Sequence, residues 1–489
     1  MLKIKLNSVF NNYKFYLWFV IFLSFITKLF NLNYNSPSSD ESVYIAIGHS
    51  IISNWNWAIY NTASWVGGHT YFYPIITSLG YYYSGIVGSR LINIIFLSIS
   101  VYFTYLITSK MLTRLFGGIF KKRVNLISLI SVIVLAFSSS SIYISRLATY
   151  DMPSFTLLII GLYYLVSSVD NKFDDHGKAV NFFLSAIFLS LSFAFKYITI
   201  LFLPLILVVS YLFINKYYKK SLLHYWKFYF FTPIALLVSV VLLTQFNYLK
   251  VFITSQVSRE QFNAFEVLVE FFKNTYFVLP YFIIGTVGLV SKKRWRMLIG
   301  QTISLSVIIL FHVIFGRISA LDKHSFLLIF IIAVMSSVGV YELYRKKLVK
   351  YLVIAYALCY VPYNLYLSQK YNFIWPNYKT AINYFEDNMT ASSKLLSENG
   401  SSIILTTYKD LNQENVVTFD WFENEGLIGK DAYQKAVLDG YFKYIELETD
   451  SFSKPSGYAE LNETVRDSLL GNYSVVLENN DYKVFKRDF

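Results

Sequence analysis

Eleven apolar segments, most close to twenty residues long, divide the first 368 residues of this chain. They lie near 15–31, 90–109, 124–144, 153–169, 180–195, 197–214, 228–247, 276–291, 297–316, 325–343 and 350–368. A helix of about 20 apolar residues spans a bilayer, and helices satisfy their own backbone hydrogen bonds in lipid. The chain therefore reads as a mainly α, polytopic membrane protein with about eleven transmembrane helices. Only 15% of its 489 residues are charged, against about 25% in a soluble domain. That excludes a disordered chain, a coiled coil and an ordinary soluble enzyme. No small-residue cleavage site follows the first apolar run, so this run reads as a retained anchor. The single cysteine, Cys359, lies in an apolar run and reads as a small core residue. One cysteine excludes a disulfide scaffold or a cysteine-based zinc site.

Charge divides the chain in two. Residues 1–368 carry 31 Lys and Arg against 11 Asp and Glu, whereas residues 369–489 carry 12 against 19. The basic residues are scattered between apolar segments, which excludes a nucleic-acid partner. With the N-terminus in the cytoplasm, the inner segments are 1–14, 110–123, 169–178, 215–227, 292–296 and 345–350, and they hold 22 basic residues. The opposite side of this region holds only Arg146, Lys196, Lys250, Arg259, Lys273, Arg317 and Lys323. This asymmetry predicts a multi-pass cell-membrane protein with a cytoplasmic N-terminus and an extracytoplasmic C-terminal domain. It requires that 71–88, rich in tyrosine and containing Pro74, Gly80 and Gly85, is an interfacial or re-entrant helix and not a span.

Two domains follow: a transmembrane domain over 1–368, whose first outer loop covers 32–89, and a small extracytoplasmic α/β domain over 369–489. In the latter, helices are expected near 378–397 and 461–470, with strands at Ile403–Thr407, Val416–Trp421, Tyr441–Leu447, Tyr473–Glu478 and Tyr482–Lys486. Four N-x-Ser/Thr triplets, at Asn388, Asn399, Asn462 and Asn472, fit an exterior location.

Acidic residues in the membrane region are few, and seven map to the outer side: Asp40, Glu41, Asp151, Glu260, Glu266, Glu270 and Asp322. A carboxylate at a membrane boundary is a functional candidate, because burying it costs about 2–3 kcal/mol or more. Asp40 and Glu41 open an amphipathic segment, where Ser38 or Ser39 would cap a helix and the acids would favour its dipole. Asp151 sits in Ser145-Arg146-Leu147-Ala148-Thr149-Tyr150-Asp151-Met152-Pro153, where it could cap the next helix or pair with Arg146. Lys196 lies in a short turn between two apolar runs, so its ammonium snorkels or meets an anionic headgroup or phosphate. Lys323 and His324 open the tenth span in the same manner, while His49 and His69 read as amphipathic loop residues. Asp-Glu is not by itself a ligand signature, so no metal site is assigned, although a divalent metal between the carboxylates is compatible with the pattern.

Taken together, these motifs carry a resemblance. Asp40-Glu41 begins a long outer loop, Tyr73-Pro74 follows, and Gly88-Ser89-Arg90-Leu91-Ile92-Asn93 enters a span. The Arg146–Pro153 stretch and Phe195-Lys196-Tyr197 come next on the same side. The sequence resembles the GT-C superfamily of polytopic glycosyltransferases over roughly residues 15–345, and most of all the protein O-mannosyltransferase and aminoarabinose transferase (ArnT) branch. The resemblance implies that Asp40, here followed by Glu41, acts as or beside the base for the acceptor, and that Asp151 is the second acidic position. ArnT-like members hold the lipid phosphate with a Lys-Pro-Pro stretch. Here the region reads His69-Thr70-Tyr71-Phe72-Tyr73-Pro74, which leaves Arg146, Lys196 and His69 as substitutes to test.

An outward active site needs a donor delivered in the membrane, and no Gly-rich phosphate loop lies on an inner segment. The expected partners are a polyprenyl-phosphate-linked sugar, a glycan, lipid or protein acceptor, and membrane lipids. The expected reaction is an inverting displacement with Asp40, aided by Glu41, as general base. Donor contacts are expected from Arg146, Lys196, His69, Lys323 and His324. The alternatives are a transporter or lipid-sugar flippase, and a membrane-anchored assembly protein whose function lies in the tail. A transporter should show inverted repeats and acids near the midplane.

Overall fold

The structure, a computed structural model, describes residues 13–56, 68–69, 71–116, 121–170, 173–217, 220–247, 250, 262–318, 320–343, 347–408, 411–419, 422–449, 456–469 and 471–488. Arg259, Glu260 and the first two basic residues of the N-terminal segment, Lys3 and Lys5, lie outside the described residues. The chain divides into two compact units. The first comprises 1–32, 66–69 and 90–371; the second comprises 33–65, 70–89 and 372–489. The contacts group residues 33–65 and 70–89 of the first outer loop with residues 372–489.

The first unit is helical. Its elements are α1 (Tyr13–Leu29), most of α3 (Phe72–Phe116), α4 (Lys121–Phe137), α5 (Ser139–Ser145), α6 (Asp151–Ser168) and α7 (Asp175–Phe195). A 3-10 turn, Tyr197–Leu201, leads into α8 (Leu203–Tyr217), followed by α9 (Lys220–Thr244), α10 (Ala264–Ser291), α11 (Trp295–Ile314), α12 (Leu321–Leu343) and α13 (Lys347–Tyr371). The second unit holds α2 (Ser39–Asn54) and the first arm of α3.

Each of the eleven apolar segments forms helix, but they differ in reach. Eight helices among the described residues are long and apolar enough to cross a membrane, or nine if α4 and α5, bent by 58°, count as one span. Helix α1 has 17 residues, about 25 Å at 1.5 Å per residue, and the apolar helix Tyr197–Tyr211 is shorter still. On α1 the buried face is Leu17, Ile21, Ser24 and Lys28, at helical spacing, while Trp18, Phe19 and Phe22 are exposed. That is the pattern of a helix with one face on protein and one on lipid. Cys359, expected in a core, is exposed on α13.

Small and hydroxylated residues join these helices, as expected where lipid removes the hydrophobic drive between them. A Cβ on Gly288 would stand 2.4 Å from the Gly339 carbonyl oxygen, so α10 and α12 touch backbone to backbone. The Ser100 and Thr156 hydroxyls bond at 2.8 Å between α3 and α6, and Thr108 and Ser131 at 2.9 Å between α3 and α4.

Helix α3 breaks at Ser84 and Gly85, where Gly85 takes φ 58° and ψ −152°. The arm before the break, 72–83, extends about 18 Å. By itself this is shorter than a hydrocarbon core of about 30 Å. The arm folds close to the next turn: a Cβ on Gly88 would lie 2.1 Å from the Gly80 carbonyl oxygen, and Ser89 Oγ donates to the Thr77 carbonyl at 2.7 Å.

The second unit adds α14 (Lys379–Asn388), β1 (Leu395–Ser397), β2 (Val416–Thr418), the small hairpin β3 (Glu423–Asn424) and β4 (Leu427–Ile428), α15 (Lys430–Leu438), β5 (Tyr444–Glu448), α16 (Ser456–Ser468), β6 (Tyr473–Glu478) and β7 (Tyr482–Arg487). The five-stranded sheet has the order β2-β1-β5-β7-β6. β1 is parallel to β2 and β5, while β7 is antiparallel to β5 and β6. Leu396, Ile445, Val437, Phe442 and Val465 form its core. Two expectations fail here. Ile403–Thr407, expected as a strand, belongs to a 3-10 helix over Gly400–Thr407; a short apolar run is ambiguous by periodicity alone. The helix expected over 378–397 stops at Asn388, and its last residues form strand β1.

Loop and tail are stitched by polar contacts. Asn35 Nδ2 donates to the Trp375 carbonyl at 2.9 Å, the Tyr378 amide to Ser36 Oγ at 3.1 Å, and Ser42 Oγ to the Ser401 carbonyl at 2.9 Å. A Cβ on Gly48 would lie 1.9 Å from the Pro74 carbonyl oxygen, so α2 lies directly on the start of α3.

Candidate active site

Asp151 opens α6 after the turn that follows α5. Its carboxylate favours the positive end of the helix, and Tyr150 before it supplies no side-chain cap. Asn93 on α3 fixes this turn, donating to the Leu147 and Thr149 carbonyls at 2.5 and 2.7 Å. Ser154 and Ser192 exchange hydroxyl-to-carbonyl bonds of 2.9 and 2.8 Å, which pins α6 to the last turn of α7. Lys196 is the residue at which α7 ends. Its Nζ bonds Asp151 Oδ1, and the two side chains are 11% and 3% exposed. The ammonium also lies 5.4 Å from the Tyr150 ring centroid. Desolvating both ions costs several kcal/mol each, so a pair at this depth is held by the surrounding helix ends.

The start of α12 joins them. The charge of Lys323 acts on Asp151, and that of Lys196 acts on both Asp322 and His324. Asp151 and Lys196 are in contact, and Lys323, His324 and Asp322 at the start of α12 lie within electrostatic range of them. His324 Nδ1 is 2.9 Å from His312 Nε2, and His312 Nδ1 is 2.9 Å from the Arg317 carbonyl oxygen. Sequence reading missed His312, which lies within the apolar run of α11. Its only signal was that two of six histidines flank one short loop.

His69 also belongs to the first unit. Its backbone amide donates to the Ala194 carbonyl at 2.6 Å, and a Cβ on Gly68 would stand 2.0 Å from the Phe195 carbonyl oxygen. The segment therefore lies against the turn that carries Lys196. Burial pushes the His69 imidazole below its ordinary value, which leaves it without charge at neutral pH.

Arg146, the pairing partner that the sequence offered Asp151 as an alternative to a helix cap, bonds backbone carbonyls. Its Nη2 donates to the carbonyls of Phe30 and Asn31 at 3.1 and 2.7 Å. Arg90 Nη1 donates to the Leu32 carbonyl at 3.0 Å, and Lys28 donates to Ser24 and to the Ala136 carbonyl. Three buried basic side chains thereby gather at the C-terminal end of α1 and the turn after it, where the helix dipole is negative.

In the second unit, Ser38 caps α2. Glu41 N donates to Ser38 Oγ at 3.3 Å and Ser38 N to Glu41 Oε2 at 2.9 Å, a complete capping box. Glu41 is 0% exposed, whereas Asp40 is half-buried in the same first turn. Glu266 forms a like capping box with Asn263, and Glu270 bonds Lys273. Among the described residues, no three His, Cys, Asp or Glu side chains are gathered to hold a metal ion.

Residues 69–243 match the family model described as dolichyl-phosphate-mannose-protein mannosyltransferase. Among solved structures, ArnT from Cupriavidus metallidurans bound to undecaprenyl phosphate is 12% identical with a TM-score of 0.60, and the match covers 96% of this chain and 97% of that one. The fold is that of the GT-C glycosyltransferases. A second match, the archaeal oligosaccharyltransferase AglB from Archaeoglobus fulgidus in complex with an inhibitory peptide and a dolichol-phosphate, has 12% identity and a TM-score of 0.54. It covers 97% of this chain and 74% of that one. No curated protein sequence matches the chain. The GT-C fold spans both units described above, with the multi-pass helical region and the C-terminal sheet included in the ArnT match.

Proposed function

We propose that this chain transfers a sugar from a polyprenyl-phosphate-linked donor to an acceptor hydroxyl on the outer face of the membrane. The observation that carries the reading is the buried Asp151–Lys196 pair, with Lys323 within electrostatic range of Asp151. It sets two ammonium groups at the ends of membrane helices, where a lipid phosphate resides. The matched ArnT structure holds undecaprenyl phosphate, which supports a donor of that chemical class.

In this reading the acceptor oxygen attacks the anomeric carbon in line. Its proton passes to Asp40, and the carbon–oxygen bond to the lipid phosphate breaks with its electron pair going to the phosphate. Configuration inverts in this single step. Base assistance is worth roughly 10²–10⁴-fold. Lys196 and Lys323 stabilise the departing phosphate, and Asp151 fixes the Lys196 ammonium. Arg146, His69 and His324 are further donor contacts to test. Glu41 supports Asp40 by holding the helix that carries it. The N-terminus is proposed to be cytoplasmic and the C-terminal domain extracytoplasmic, with glycan, lipid or protein as the class of acceptor.

The test is release of free polyprenyl phosphate from radiolabelled polyprenyl-phosphate sugars, with cell-envelope extract as acceptor. Wild-type membranes should release it, and Asp40→Asn and Asp151→Asn membranes should not. Lipid-linked sugar that crosses the bilayer intact would overturn the reading in favour of a flippase. Wild-type turnover by folded Asp40→Asn protein would remove the assigned base.

A further inference from the structure

His312 and His324 form a buried pair, in which the reaction outlined above gives His312 no role and His324 only a general donor contact. For two neutral rings, hydrogen-bond direction assigns the protons on this pair. His312 Nδ1 is 2.9 Å from the Arg317 carbonyl oxygen, which can only accept, so Nδ1 of His312 carries the hydrogen. In the neutral ring His312 Nε2 is then an acceptor, and the atom 2.9 Å from it, His324 Nδ1, must donate. One hydrogen is thereby used on each ring, and His324 Nε2 is left with a lone pair on the edge away from His312. The edge of Phe271 packs on His312, with ring centroids 5.4 Å apart, and holds that ring in place.

We infer that His312 is a positioning residue that locks His324 in its Nδ1–H tautomer, so that His324 Nε2 accepts a hydrogen bond from a hydroxyl of the sugar substrate or acceptor. The inference rests on the transferase reading for its substrate and on the two hydrogen bonds for its tautomer. The surroundings suit such a contact. Lys196, Lys323 and Arg317 act on His324 together with His312, and Asp151 and Asp322 lie in the same cluster. On α10, Glu270 is bonded to Lys273 and Asn274. The cluster therefore offers several donors to a phosphate. A neutral imidazole nitrogen adds an acceptor, which a hydroxyl-bearing ring needs for orientation.

Two readouts test this. In full-length protein with 15N-labelled histidine, assigned through His312→Gln and His324→Gln, the His324 signals at neutral pH should be those of a protonated Nδ1 and an unprotonated Nε2. The opposite tautomer, or an imidazolium, overturns the inference whatever the activity. In the transfer assay His312→Leu, which deletes the acceptor for His324 Nδ1–H, should lower kcat/KM about tenfold, a hydrogen bond's worth. It should also shift the pH profile. His312→Gln, whose carbonyl can take the same hydrogen, should restore most of both. A rise in donor KM assigns the hydroxyl to the sugar, and a rise in acceptor KM assigns it to the acceptor. Unchanged kinetics and pH profile in His312→Leu overturn the positioning role. Wild-type protein that transfers no sugar overturns the transferase reading, and the hydroxyl contact with it, while the spectrum still decides the tautomer.

Discussion

Lys196 Nζ bonds Asp151, and that one ion pair ties the C-terminal end of α7 to the first turn of α6. Removing one partner leaves the other charge buried and alone, which costs about 3–5 kcal/mol. Asp151→Asn and Lys196→Met should each lower thermal stability in detergent by that order. The double variant should recover most of it, since no charge is then stranded. Sugar transfer should be lost in all three. Recovery of transfer in the double variant would show that the pair is structural only.

Pairing with Asp151, five positions away, was one of two readings of the Arg146–Pro153 stretch, and Arg146 reaches the turn after α1. Each bond from its guanidinium to the Phe30 and Asn31 carbonyls is a charge-assisted contact, worth about 1.5–3 kcal/mol. Arg146→Ala should therefore destabilise the fold by a few kcal/mol, measured by thermal unfolding. Arg146→Lys should recover part of it through one carbonyl. A raised donor KM in folded Arg146→Lys would assign the guanidinium to the lipid phosphate as well.

The two adjacent acids of α2 should separate cleanly. Glu41→Ala and Ser38→Ala each break the capping box and should cost about 1 kcal/mol. Asp40→Asn leaves that box intact and should cost less stability than either, while transfer falls by roughly 10²–10⁴. Paired unfolding and transfer measurements on the same preparations check this. Equal losses of transfer in Glu41→Ala and Asp40→Asn would argue against a distinct role for Asp40.

What could be read in advance follows from the range of the interaction concerned. The apolar helices, the Ser38–Glu41 cap and the short arm before Gly85 are local, and their residues lie within a few turns of one another. Asp151, Lys196 and Lys323 stood out because each is a charge at the end of an apolar run, where capping, snorkelling or function explains it. The partner of Arg146 did not, because a guanidinium shows no trace in the sequence of which distant carbonyls it will meet. The same holds for Asn35 and Ser36, whose partners near Trp375 and Tyr378 group the first outer loop with the tail. His312 was hidden for another reason: a histidine in an apolar helix is conspicuous only once His324 is seen beside it.

Glu446 gives the C-terminal domain a pH dependence of defined sign. The side chain is fully buried in β5, and burial raises its carboxyl to about 7 from an ordinary 4.5. The Ser397 and Ser402 hydroxyls each donate to it at 2.7 Å, and Glu448 and Glu398 lie close enough to add repulsion. Between pH 4.5 and 7 the unfolded chain releases this proton and the folded chain keeps it. The stabilisation is thus complete below about pH 4.5 and is lost as the pH rises through about 7. A shift of this size amounts to on the order of 3 kcal/mol. Thermal unfolding of the full chain, followed by a fluorophore in the C-terminal domain, should show that domain losing stability from pH 5 to pH 8. Glu446→Gln keeps an acceptor for both hydroxyls and has no proton to lose, so it should flatten the slope. An unchanged slope in that variant would take the titration away from Glu446.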